Sequence, residues 1–208
     1  MRRNASTVVV MPGPAPAEVL AAIGRSMNVA LIRPGNPAGD DGDGLEAAAG
    51  ALRQAGRSTS AYALVPADPL AAVAASWRAM WDVSRPEQGP AGFEAEALKA
   101  LTAWRSGRFE LPDYYLILAA GLAGPVGPAG AGEAGDPGPD FYLGPLRTAR
   151  PQRVAVVAAT EPAQQAAGVL QALGSLPYGP WWPDLDQVIG AARTFYPGQL
   201  AERAALTG

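Results

Sequence analysis

Three times along this chain an apolar run of strand length gives way to a proline placed to open a helix. Thr7–Met11 leads into PGPAPAE, Ser60–Val65 into PADPLA, and Val154–Val157 into ATEPAQ. Proline suits the first helical position, because its fixed φ matches the helix and its missing N–H has no acceptor there. A short, unbroken apolar strand is one covered on both faces, as in a parallel sheet whose crossovers are helices. Strands that feed helices again and again therefore imply right-handed βαβ units rather than hairpins. The clearest copy is Arg153–Leu176. Its Val154–Val157 run reads as a buried strand and Thr160-Glu161-Pro162 as a turn and helix start. Glu161 there sets negative charge against the positive helix end. Ala166, Val169, Leu170 and Leu173 then form one apolar stripe.

The remaining segments fit the same plan. Val19, Leu20, Ile23 and Met27 share one helix face, and Asn28–Ile32 reads as a second strand that ends in Arg33-Pro34-Gly35. A loop over Asn36–Gly44 leads to a helix aligned on Leu45, Ala49 and Leu52, with Asp43 and Glu46 at capping-box spacing. Asp68 at the N-cap and Pro69 after it start a helix with the stripe Leu70, Val73, Trp77 and Trp81. A further helix is expected from Phe93 to Ser106, a fourth strand at Asp113–Leu118, and a short strand at Phe141–Leu143 that Pro145 stops. Leu185, Val188, Ile189 and Ala192 mark another helix, and Pro197-Gly198 precedes a short last one.

The predicted fold is α/β: a three-layer sandwich with a mostly parallel, doubly wound (Rossmann-like) sheet of about five strands, in the order 3-2-1-4-5 or a close variant. At 208 residues a single domain over 1–208 is expected, with a flexible Gly/Pro-rich loop at 121–140.

Composition narrows the chemistry. The chain has no cysteine and no histidine, which removes disulfides, thiolate nucleophiles, Ser-His and Cys-His pairs and the usual metal ligands. Lys99 is the only lysine among 16 basic residues, and its place in EAEALKALTAW reads as a solvated helix face. The net charge of −3 argues against a nucleic-acid partner. No GxxxxGK[ST] occurs, so a P-loop is excluded. The longest apolar stretch, Tyr114–Val126, is shorter than the roughly 20 residues a membrane span needs. A cytoplasmic protein is expected, and the excess of Ala, Gly, Pro and Arg over Lys is what a GC-rich bacterial gene encodes.

Several motifs give way to simpler readings. Gly13 after the first strand lacks the glycine triplet of a dinucleotide loop, and prolines replace the N–H groups that would hold a pyrophosphate. Asp40-Asp41-Gly42-Asp43-Gly44 puts glycines where a calcium loop needs acids, and reads as an acidic turn. The glycine rhythm of Gly124–Pro139 is too short and slips phase for a triple helix. Arg147, Arg150 and Arg153 read as solvated charge at the amino edge of the sheet.

Two candidate sites remain. Ligands of open α/β sheets sit outside the carboxyl ends of the strands, and Arg33, Asn36, Asp68, Thr160 and Glu161 fall there. Carboxylates and an arginine in that place suit a small molecule with an anionic group, with Asp68 or Glu161 as acid or base. Tyr178, Trp181 and Trp182, in a Pro/Gly loop, are the residue types that dominate protein interfaces. With no catalytic signature, no cofactor motif and no metal set, the expectation is a non-catalytic accessory or assembly protein acting through a protein partner or self-association. The alternative is a small-molecule or nucleotide-binding protein or enzyme using the carboxyl edge. No nucleic acid and no membrane is expected in either case.

Overall fold

The computed structural model describes residues 6–35, 44–81, 89–118, 139–176, 184–196 and 198. Five strands form one all-parallel sheet: β1 (Thr7–Val10), β2 (Val29–Leu31), β3 (Tyr62–Val65), β4 (Tyr114–Leu118) and β5 (Val154–Val157). Their order is β2-β3-β1-β4-β5, a close variant of the expected 3-2-1-4-5 in which β2 and β3 change places. The exchange has a physical reason. β2 has three residues, two of them half-exposed, and suits an edge, whereas Ala63, Leu64 and Val65 of β3 are fully buried and belong inside.

Alternation along the strands splits the core in two. Val9, Met11, Leu64 and Leu116 pack under α1 (Ala17–Gly24) and α6 (Pro162–Ser175). On the other face Val8, Val10, Val65, Tyr115 and Ile117 meet α2 (Gly44–Ala55), α3 (Ala71–Ala79), α4 (Pro90–Arg105) and α7 (Leu185–Thr194). The three-layer, Rossmann-like plan is therefore present. Between α4 and β4, Gly107 at φ 72° completes a helix stop: its N–H donates to Trp104 and the N–H of Arg108 to Ala103.

Local expectations fare unevenly. Pro162 does open α6 with Glu161 at the N-cap, and Leu185, Val188, Ile189 and Ala192 are all buried in α7. Met27, however, is 97% exposed, because α1 ends at Gly24 and the stripe does not reach it. Trp81 lies past the end of α3, and Leu170 faces partly outward. β5 is an edge strand with Val156 exposed on the face of α7, where no described helix covers it. The expected strand at Phe141–Leu143 is instead a π-helical turn, Tyr142–Leu146, continued by α5 (Arg147–Ala149) and a 3-10 turn at Pro151–Arg153. Pro145 sits inside that turn. The widened ring accommodates a residue that an α-helix would reject, while Phe141, Tyr142 and Leu146 all reach the core. The short C-terminal helix and most of the 121–140 loop lie outside the described residues.

Candidate functional site

Asp68 is where the carboxyl edge becomes chemically distinctive. β3 ends at Val65, and the chain turns through Pro66–Leu70 before α3 begins at Ala71. Asp68 is thus not the N-cap of α3; that place falls to Leu70. Its side chain instead closes a local turn, with Oδ1 accepting the Leu70 N–H at 3.0 Å. The same carboxylate also takes the hydroxyls of two tyrosines from distant segments. The Tyr115 hydroxyl, on β4, donates to Oδ1 at 3.0 Å, and the Tyr142 hydroxyl, from the π turn, donates to Oδ2 at 2.6 Å. The two rings lie 5.7 Å apart at 31°.

Both partners are pinned by packing. Tyr115 and Tyr142 are essentially inaccessible, and Phe141 stands edge-on to Tyr142 at 5.5 Å. Asp68 is 8% exposed. Burial raises its carboxyl to about 6; the hydrogen bonds from Tyr142, Leu70 and Tyr115 oppose the rise without cancelling it. Burial and then the Asp68 charge push the Tyr115 phenol well above its usual range. The group is therefore a carboxyl that exchanges its proton near neutrality, and such groups concentrate at functional sites.

A cavity of about 330 Å³ opens beside it. Pro34, the first turn of α2, the Ala67-Asp68-Pro69 turn, the start of α3 and one face of α4 form its wall. Most of the lining is alanine, proline, leucine and valine; the charged lining residues are Asp68, Glu96 and Lys99.

We compared the chain with models of known families, with curated proteins and with solved structures. It matches none.

The structure brings together only part of the expected carboxyl-edge set. Asp68 lines the cavity, and Arg33, exposed, directly precedes Pro34 of its wall. Thr160 and Glu161 are exposed at the end of β5, which β1 and β4 separate from β3. At ordinary strand spacing that is roughly 14 Å across the sheet, so the two belong to a different part of the edge. Glu161 makes no side-chain capping bond. There Gln165 Nε2 donates to the Ala159 carbonyl at 3.0 Å and ties α6 to the end of β5. Asn36, Tyr178, Trp181 and Trp182 lie outside the described residues.

The sequence reading missed Tyr115, Tyr142 and the wall position of Lys99 and Glu96. The hydroxyls carried a signal: a tyrosine buried by a strand or core turn needs a partner for its O–H, and a carboxylate at a neighbouring strand end is one. Among the described residues no group of acidic, histidine or cysteine side chains is placed to hold a metal ion, and no helix is long and apolar enough to cross a membrane.

Proposed function

We propose that this chain binds a small molecule at the carboxyl edge of its sheet, in the cavity between α2, α3 and α4. The observation that carries the reading is Asp68, a buried carboxyl titrating near 6 on the wall of an otherwise mainly apolar cavity. Concave, largely apolar sites with a few fixed polar groups are the usual form of ligand pockets, and about 330 Å³ falls at the small end of their range. The carboxyl edge is also where parallel sheets take their ligands. Native mass spectrometry of the wild-type chain and of Ala72→Trp, which fills the cavity from the start of α3, tests this. A small molecule retained by the wild type and lost from the variant is expected. Equal retention overturns the reading, as does a wild type that retains nothing and whose melting temperature no fragment shifts.

A second reading is association with another protein chain, without catalysis. Its support is the Trp81–Tyr196 pair, edge-to-face at 5.3 Å, with the residues 37% and 56% exposed. Trp and Tyr at the surface are the residues on which interfaces depend most. Replacing both with alanine leaves the core intact; an unchanged solution mass and unchanged co-purifying proteins count against this reading.

A further inference from the structure

The wall of the cavity has a definite electrostatic character. It carries two carboxylates, Asp68 and Glu96, against one ammonium, Lys99, so its net charge is −1 when all three are ionised. The two carboxylates are not equivalent. Glu96 is half-exposed on α4, where water solvates it, whereas Asp68 is buried. Every donor that Asp68 has among the described residues is neutral: a backbone N–H and two phenols. A carboxylate has about four acceptor positions. Among the described residues three are filled, two on Oδ1 and one, from the Tyr142 hydroxyl, on Oδ2.

A buried anion held only by neutral donors favours a cation brought to it, because Coulomb attraction is screened least where water is excluded. An anionic occupant would set a second negative charge beside Asp68, and a neutral one would leave its charge uncompensated. The rest of the lining offers alanine methyls and the side chains of Leu45 and Val73, which suit hydrocarbon.

We infer that the occupant of this cavity is a compact apolar molecule bearing a protonated amine, drawn to the Asp68 carboxylate in the wall. The inference rests on the cavity being a ligand site and names the class of ligand it takes. Lys99 and Glu96, three residues apart on α4, flank the apolar body.

Three probes of similar size and different charge separate the alternatives: benzylamine, benzyl alcohol and benzoate, titrated at pH 7.5 and followed by calorimetry or NMR. For wild type, benzylamine binds about tenfold more tightly than the other two, because it alone brings a positive charge to the carboxylate. Asp68→Asn keeps the side-chain shape and removes the charge; it brings benzylamine to within about twofold of benzyl alcohol. Ala72→Trp abolishes binding of all three. If the three probes bind wild type alike and Ala72→Trp still abolishes binding, the cavity reading stands and the amine inference falls. If Asp68→Asn retains the preference for the amine, the inference falls too. If no probe binds wild type, or if Ala72→Trp binds as wild type does, the cavity reading fails and takes the inference with it.

Discussion

The Tyr142 hydroxyl donates to Asp68 Oδ2 at 2.6 Å, joining two positions 74 residues apart in sequence. It is the strongest of the hydrogen bonds that hold the Asp68 carboxyl down against burial. Through it the segment before β5 is tied to the turn that starts α3, so the cavity wall is held by contacts made far from it in the chain.

Tyr142→Phe tests that tie directly. Removing the hydroxyl raises the Asp68 carboxyl above about 6, since Tyr142 favours the ionised form. The loss of stability is expected at about 1–3 kcal/mol at pH 8, where the carboxylate is charged and short of a donor, and less at pH 5, where it is protonated. Urea unfolding at the two pH values measures the difference. Equal losses at both would mean that the bond does not act on the charge.

Asp68 itself makes the fold less stable as the pH rises. Its carboxyl is raised from 3.8 to about 6, so the folded state keeps a proton that the unfolded state has released. The contribution is fully present below 3.8 and is lost as pH rises through 6, in total about 3 kcal/mol. Asp68→Asn has no such dependence. Relative to the variant, wild type is expected to lose about 2 kcal/mol between pH 4.5 and 7.5. Parallel pH profiles for the two proteins would show that the carboxyl is solvated.

Two glycines of α6 give opposite expectations for one substitution. A Cβ at Gly168 would stand 2.7 Å from Val157 Cγ1, a stiff β-branched side chain, so the helix lies on β5 at a distance only glycine allows. Gly174 meets nothing within 4 Å. Gly174→Ala, next to the end of α6, should stabilise by up to about 0.5 kcal/mol through helix propensity, whereas Gly168→Ala should destabilise despite its interior position. Thermal unfolding of the two variants checks this, and the same sign in both would mean that α6 shifts freely on the sheet.

What was legible in the sequence follows from the range of each signal. The proline-opened junctions and apolar runs are local, and they led to the parallel three-layer plan and to Asp68 at a strand end. Strand order depends on which strand can bear an edge, and the half-exposure of Ala30 and Leu31 in β2 comes from packing that the sequence does not display. Pro145 read locally as a stop, but a π turn absorbed it because the surrounding aromatics are buried. The partners of Asp68 lie 47 and 74 residues away, and only the fold brings them together. Thr160 and Glu161 looked equivalent to Asp68 by position in a repeat; the sheet order sets them apart.

Trp77 links the tyrosine–aspartate group to the rest of the core. It is fully buried, its Nε1–H donates to the Ala192 carbonyl at 2.8 Å, and its ring stands edge-on to Phe141 at 5.9 Å. Ala192 lies in the last turn of α7, where carbonyls lack helical donors, so the indole caps that helix. Trp77→Phe leaves the carbonyl buried without this donor and a void beside Phe141, at a cost of about 2–4 kcal/mol. That is a large part of the roughly 5–15 kcal/mol by which a domain is stable. Because Phe141 packs against Tyr142, the same change should loosen the Tyr142–Asp68 bond and raise the Asp68 carboxyl, seen as a steeper loss of stability toward high pH. A loss with no pH dependence would confine Trp77 to capping α7 and separate it from the cavity wall.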